Sequence, residues 1–362
     1  MRNGLIIIDA DGHIIDDETM YRQRMPEQYR QHRGGFYPSD GFDRGQNNTK
    51  NWRPNSVEKN LADNDLEGID LQVYYPTGGL GLSWVREVGY ATALARTYND
   101  WVHEWCQTSP KRLKAVAIVP LQADVRAAIE EMTRAVGQLG AVGVMVHAFD
   151  HARNVGHRDF WPFYEECARQ GVAVGFHGHG STEMNGTAHF DNFLGVHTWS
   201  HAPDQLVACT AVMYSGILEK FQDLRVAFLE AGCGWAPFWM EHMDEEWEKR
   251  KFDAPLLTAP PSEYMTNGRV WVACEPEEKT IPYVSQWIGE DHILYASDYP
   301  HWDGGFPHSV ETLAGRTDIS EGFKQKIFFD NPQAFYGFKV NPADYDPTGT
   351  GPTRTASGEA IA

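Results

Sequence analysis

The sequence predicts an α/β fold of the (β/α)8 TIM-barrel class, with long loops at the C-terminal face of the barrel and a disordered C-terminal tail. Three observations carry the prediction. Eight short apolar runs recur along the chain, stretches with helical spacing of apolar residues separate them, and charged or imidazole side chains close several of the runs. Strand alternating with helix is the pattern of a parallel sheet, and right-handed crossovers let such a sheet close on itself. At 362 residues the chain exceeds the roughly 250 that one barrel needs. A doubly wound open sheet is the competing architecture, but no Gly-x-Gly-x-x-Gly follows the first run, which weighs against its dinucleotide-binding form.

The first run, Leu5 to Ile8, has no helical period and reads as a strand buried on both faces. It leads into Asp9-Ala10-Asp11-Gly12-His13. Side chains alternate along a strand, so Asp9, Asp11 and His13 share a face if the extended conformation persists. Two carboxylates and an imidazole at the mouth of a buried strand are costly unless a cation joins them. Asp11-Gly12 is also a common turn pair, which would leave His13 solvated. The polar stretch from about Asp16 to Glu58 is long enough to be a functional lid or binding loop inserted in the domain. A short helix from Leu61 then stops at Gly68, and a strand, Ile69 to Tyr75, is broken by Pro76-Thr77-Gly78-Gly79.

A helix from about Val85 to Cys106 sets Leu94, Tyr98, Trp101, Val102 and Trp105 on one face. The third strand is Ala115 to Val119. Asp124 caps the next helix, whose Val125, Ile129, Met132 and Val136 repeat at helical spacing up to Gly140. Val142 to Val146 is the fourth strand. A helix over Trp161 to Arg169 precedes the fifth, Val172 to Phe176, which runs into His177-Gly178-His179-Gly180; the period of two places His177 and His179 on one face. A loop is predicted from Ser181 to His201, holding His189, His197 and His201, then a helix from Asp204 to Lys220. The sixth strand, Arg225 to Leu229, ends in Glu230. Trp235, Trp239, Met243 and Trp247, spaced by four, mark a helix to Lys249. Val270 to Val272 is the seventh strand, with Cys274-Glu275-Pro276-Glu277-Glu278 opening the helix after it. The eighth, Ile293 to Ala296, ends in Ser297-Asp298-Tyr299-Pro300-His301, and helix continues to about Phe338. One domain over residues 1–340 is followed by a flexible Thr, Gly, Pro and Ala-rich tail over 341–362.

A hydrophobic content of 42% with 12% aromatics marks a compact globular chain, and the net charge of −19 argues against a nucleic-acid partner. No run approaches the length of a membrane span, and no basic region precedes a cleavable apolar segment; the chain is expected to be cytoplasmic, with no membrane partner. Cys106, Cys167, Cys209, Cys233 and Cys274 form no Cys-x-x-Cys pair and read as reduced core residues.

In parallel barrels the catalytic groups stand at the C-terminal ends of the strands. Here Asp11 and His13 follow the first strand, His177 and His179 the fifth, Glu230 the sixth and Asp298 the eighth. Each alone has an ordinary reading as a wall residue or a cap, but their coincidence at one end is specific. On these residues the chain resembles the amidohydrolase-related family that includes the aminocarboxymuconate semialdehyde decarboxylase-like enzymes. The resemblance runs from Ile6 to Phe338 through DADGH at Asp9 to His13, NDLEGIDLQVYYPT from Asn64, FHGHG from Phe176, FLEAGCGWAP from Phe228, SDYPHWD from Ser297 and NPQAFYGF from Asn331. It implies one divalent ion held by Asp11, His13, His177 and Asp298. Many members carry His where this chain has Glu230.

Two imidazoles and two carboxylates suit Zn²⁺ first, and also Mn²⁺ or Fe²⁺. In this reading Asp298 orients the attacking water or takes its proton, and Glu230 passes a proton to the leaving group. His179 or His301 holds an oxyanion or a carboxylate, and Trp235 flanks a planar substrate. Two reactions on a small-molecule substrate fit. Hydrolysis of a C–N or C–O bond by metal-activated water is placed first, because Asp11, Asp298 and Glu230 together disfavour an anionic substrate. The alternative is non-oxidative decarboxylation of a small aromatic or unsaturated acid. The resemblance also implies a homodimer, with the segment after Asp16 crossing the interface.

Overall fold

The computed structural model describes residues 5–30, 36–37, 56–148, 153–179 and 186–345. Its strands are β1 (Ile8–Ile14), β2 (Leu71–Pro76), β3 (Leu113–Ala115, resumed as Ala117–Ile118), β4 (Gly143–His147), β5 (Ala173–His177), β6 (Val226–Phe228), β7 (Val270–Cys274) and β8 (Ile293–Tyr295). Neighbours pair in parallel in chain order. β3 is interrupted at Val116, but its edges stay tied: the Val116 N–H donates to the Tyr74 carbonyl and the Ala115 carbonyl accepts from Val142, each at 3.0 Å. Beyond β8 the chain returns to β1. The Asp298 N–H donates to the Asp11 carbonyl (3.2 Å) and the His13 N–H to the Tyr299 carbonyl (2.6 Å), which closes the (β/α)8 barrel at the end where the polar residues gather.

Strand periodicity sorts the core into two layers. Met145, Ala173, Ala227, Trp271 and Leu294 fill the barrel, while Val144, Val174, Phe176, Val226 and Phe228 pack outward against helices. The barrel is full beneath the polar end. A Cβ at Gly175 would run into the hydroxyl of Tyr75, so only glycine leaves that ring its place. The surrounding helices follow their predicted signals in several cases. Asp124 accepts from the Ala127 N–H (2.7 Å) to cap Val125–Leu139, and Gly140 ends it at φ 73°.

Several boundaries differ from the sequence reading. The segment read as a loop from Asp16 to Glu58 contains helices Glu18–Arg24 and Glu27–Arg30, and Ser56 caps a helix over Val57–Glu67; much of the remainder, with its inferred interface role, lies outside the described residues. The helix expected from Asp204 begins at Phe193, capped by Asn192, and runs through Pro203 to Ser215. The helix continues past Pro203, so His197 and His201 are helical. Cys274 ends β7 and the next helix is Ile281–Ile288; between them Glu278 accepts backbone N–H groups instead of opening a helix. The tail expected from Asn341 starts with a short 3₁₀ turn, Pro342–Asp344, and a buried Tyr345 whose hydroxyl donates to the Lys111 carbonyl at 2.6 Å; residues 346–362 lie outside the described residues. Among the described residues no helix is long and apolar enough to cross a membrane.

The largest local correction concerns Asp9. The β1–β2 register shifts between Asp9 and Gly12, so the simple period of two fails there. The Asp9 carboxylate turns to the wall, accepting from the Ser297 N–H (3.0 Å) and hydroxyl (2.5 Å) and from Gln72 Nε2 (3.1 Å). A Cβ on Gly12 would lie 2.6 Å from Asp9 Oδ2, which requires glycine beside the clamp. Asp9 therefore laces β1 to β2 and to the chain after β8. Asp9→Ala is expected to cost about 3 kcal/mol or more in urea unfolding, because each buried donor left alone costs about 1–3 kcal/mol; a loss below about 1 kcal/mol would show that the clamp does not hold the strands.

Candidate active site

Beyond the bulge Asp11 and His13 face the interior, and β5 and β8 bring His177 and Asp298 to them. Each imidazole is oriented by the backbone. His13 Nδ1 sits 2.8 Å from the Pro76 carbonyl and His177 Nδ1 2.8 Å from the Gly178 carbonyl, so both rings donate there and direct Nε2 inward. The two Nε2 atoms lie 3.2 Å apart. Asp11 Oδ1 is 3.8 Å from His13 Nε2 and 3.7 Å from His177 Nε2, and Asp298 Oδ1 is 3.5 Å from His13 Nε2. His301 holds Asp298 from behind, its Nδ1 2.6 Å from Asp298 Oδ1 and its Nε2 3.1 Å from the Thr77 hydroxyl.

Glu230 enters from the end of β6, the strand paired with β5. Its Oε2 is 2.9 Å from His177 Nε2 and 3.9 Å from His13 Nε2; its Oε1 is 3.3 Å from His201 Nε2 and 3.9 Å from His301 Nδ1. Glu230 and Asp298 both adopt left-handed backbone, at φ 51° and 52°. For residues other than glycine that conformation costs about 1–3 kcal/mol and persists where the surroundings impose it. Here it turns both carboxylates into the barrel mouth just past their strands.

Crowding buried charges shifts every group. Burial raises the Asp11 carboxyl and, with His301 and His177 beside it, holds His13 well below the usual imidazole range. Burial works against His177 too, but Glu230 and Asp11 outweigh it and push that imidazole well above its ordinary value. Glu230 stays well below the carboxylate range despite its burial, because His177 and His201 favour its charge. Burial, then Glu230 and Asp303, push Asp298 well above that range.

These residues fit a divalent cation. Asp11 Oδ1 is buried yet accepts no hydrogen bond, and two inward nitrogens 3.2 Å apart repel unless a proton or a cation lies between them. A cation would also relieve the carboxylate repulsion that raises Asp298. The donor set is two imidazole nitrogens and two carboxylates, the kind that Zn²⁺ and Mn²⁺ accept.

The other expected site residues fall in different places. His301 joins the cluster through Asp298. His179 lies past the end of β5 near Trp84 and His147, with ring centres 6.3 and 6.0 Å away. Trp235 is directed elsewhere: its indole donates to the Gly232 carbonyl (2.9 Å) and packs edge-on against Phe228, in the layer between strands and helices. The site also contains His197 and His201, which the sequence predicts in a loop and the structure places in a helix. His201 touches Glu230, and His197, one turn earlier, packs tilted against His201 with ring centres 4.3 Å apart and pairs with Asp303 at 3.4 Å. The signal was available in the Asn192 cap and the four-residue spacing of the histidines.

Residues 8–338 match the amidohydrolase family, and the chain belongs to it. Its enzymes of this kind are metal-dependent hydrolases or carboxy-lyases, and the chain is one of them. Among its relatives are 2-amino-3-carboxymuconate-6-semialdehyde decarboxylase of Dictyostelium discoideum, 23% identical over 80% of this chain and 78% of the relative, and gamma-resorcylate decarboxylase of Polaromonas sp. (strain JS666), 27% identical over 69% and 78%. The fold is shared with 5-carboxyvanillate decarboxylase LigW from Sphingomonas paucimobilis (TM-score 0.76, 18% identity, 92% of this chain and 100% of that one). It is also shared with dihydroxybenzoic acid decarboxylase from Polaromonas sp. JS666, solved with bound manganese and the inhibitor 2-nitroresorcinol (TM-score 0.71, 21% identity, 92% and 97%).

Asp204 lies one helical turn beyond His201, and its carboxylate accepts the His179 backbone N–H. Burial pushes it up to about 8. A carboxyl raised on folding contributes stability that is complete below its unfolded value, near 3.8, and lost as pH rises through its folded value. Asp204→Asn cannot ionise, so between pH 6.5 and 9 the variant is expected to lose less stability than the wild type in urea unfolding. Equal losses would show that Asp204 does not titrate in that window.

Proposed function

We propose that the protein is a metal-dependent, non-oxidative decarboxylase of a small aromatic or unsaturated carboxylic acid, with the ion held by Asp11, His13, His177 and Asp298. The observation that carries this reading is the buried cluster of two imidazoles and two carboxylates, in a chain whose relatives named above are decarboxylases. Those relatives favour decarboxylation over the hydrolysis placed first from sequence. The electrostatic argument for hydrolysis also weakens, because Glu230 does not stand as an unbalanced charge: His177 and His201 flank its two oxygens, and His301 is bonded to Asp298. An acid's carboxylate thus meets a site in which imidazoles offset the carboxylates.

A divalent ion at the cluster supplies a Lewis acid for the substrate's oxygens. The protein groups do the rest. Thr77 and His301 orient Asp298, and the Pro76 and Gly178 carbonyls set the tautomers of His13 and His177. When the bond to the carboxyl group breaks, its electron pair stays on carbon and a proton must replace carbon dioxide. Glu230, held as a carboxylate, suits the relay of that proton: one oxygen reaches the cluster and the other faces the His201 imidazole, which can supply the proton. Zn²⁺ is the ion expected for the donor set, and Mn²⁺ suits it equally in coordination chemistry.

The test is to give the protein, loaded with Zn²⁺ or Mn²⁺, a panel of hydroxybenzoates and unsaturated acids beside amides and lactones. Carbon dioxide release with solvent deuterium on the carbon that lost the carboxyl group is the expected result. Uptake of ¹⁸O from water into an amide or lactone product, without carbon dioxide, would overturn the reading in favour of hydrolysis.

A further inference from the structure

We propose that His201 is a positioning residue for Glu230: the helix after β5 delivers its imidazole to Glu230 Oε1 and thereby holds Oε2 against His177. The proposal rests on the reading that Glu230 transfers the proton.

The backbone of Glu230 is already fixed. The turn that follows it is gripped by Glu278, whose carboxylate accepts from the N–H groups of Cys233 (2.9 Å), Gly234 (3.0 Å) and Glu275 (2.9 Å). Gly232, at φ 61°, has no room for a Cβ, which would lie 2.6 Å from Glu278. The side-chain torsions of Glu230 remain to be set, and its two oxygens face different neighbours. Oε2 lies 2.9 Å from His177 Nε2. Oε1 has His201 Nε2 at 3.3 Å; His301 Nδ1 is farther, at 3.9 Å, and is committed to Asp298 at 2.6 Å. Among the described residues, His201 is therefore the closest imidazole partner of Oε1.

The ring of His201 is itself held. Its Nδ1 lies 3.1 Å from the His197 carbonyl and 3.2 Å from the Ser200 hydroxyl, and the tilted His197 ring packs against it at 4.3 Å. His197 is in turn anchored by Asp303 at 3.4 Å and by the Trp302 ring at 5.2 Å. On the other side, a Cβ at Gly178 would lie 3.3 Å from His201 Cδ2, so the ring is packed against the end of β5. An imidazole with so little freedom can impose one orientation on a carboxylate. The nearby charges of Glu230 and Asp303 favour the doubly protonated ring that donates from both nitrogens.

The test compares wild type, His201→Leu and His201→Gln, since glutamine can place an amide N–H near the position of Nε2 and leucine cannot. Crystal structures give a readout that needs no substrate. Glu230 Oε2 is expected to stay beside His177 in wild type and His201→Gln and to swing away in His201→Leu. Should leucine prevent folding, His201→Asn, whose amide is too short to reach Oε1, takes its place. On an acid that the wild type decarboxylates, leucine is expected to lower kcat about tenfold or more with KM within about twofold, and glutamine to keep kcat within about threefold. Glu230 unmoved in His201→Leu, or equal loss of kcat in both variants, would overturn the proposal. Movement of Glu230 with unchanged kcat would leave the positioning in place and remove the proton-transfer role assigned to Glu230.

Discussion

Two histidine nitrogens 3.2 Å apart, each on a ring whose other nitrogen is committed to a backbone carbonyl, set the problem that the site must solve. Neither ring can turn away without giving up its carbonyl, and both are fully buried. Nitrogens so placed repel unless a proton or a cation lies between them, and the carboxylates around them favour positive charge there. Such a cluster is unfavourable as a structural element, because buried charge needs an opposite charge and buried acceptors need donors. A divalent cation would satisfy both nitrogens, the orphaned oxygen of Asp11 and the repelled carboxyl of Asp298 at once. That single requirement ties the chemistry to the architecture.

The barrel meets it by fixing strand ends rather than loops. Asp9 binds β1 to β2 and to Ser297, and the backbone bonds between Asp11 and Asp298 and between His13 and Tyr299 join the first strand to the segment after the last. Asp11, His13 and Asp298 therefore sit at that closure. Glu230 and Asp298 share a left-handed backbone at the ends of neighbouring halves of the wall, strain that the surrounding bonds sustain. Below them, Tyr75 fills the barrel and donates or accepts with Tyr336 (3.0 Å), whose hydroxyl reaches the Ala10 carbonyl (2.6 Å). This packed floor leaves the mouth as the place for substrate.

Much of this was legible because strands and helices announce themselves by period. The eight runs, the capped helix at Asp124 and the placement of Asp11, His177, Glu230 and Asp298 at strand ends needed only alternation, helical spacing and turn residues. What failed did so for physical reasons. Asp9 obeys the period of two on paper, but a register shift, permitted by Gly12, turns it into the wall. The segment from Ser181 to His201 reads as a loop, yet the helix from Phe193 runs through Pro203 and carries His197 and His201 into the site. Trp235 looked like a rim aromatic, whereas an indole bond to Gly232 directs it outward. The charge argument against an anionic substrate counted carboxylates and could not see which imidazoles face them, since that pairing depends on a helix and a wall far apart in sequence.

The central claim is that one divalent ion sits among Asp11, His13, His177 and Asp298, with Glu230 beside it and not bound to it. The most direct measurement is an anomalous difference map from crystals of the full chain grown with Zn²⁺ or Mn²⁺, recorded at the absorption edge of the metal. The account predicts one peak per chain within about 2.0–2.2 Å of a nitrogen of each histidine and an oxygen of each of the two aspartates. A peak elsewhere in the molecule, no peak, or one bound by Glu230 in place of Asp298 would contradict it.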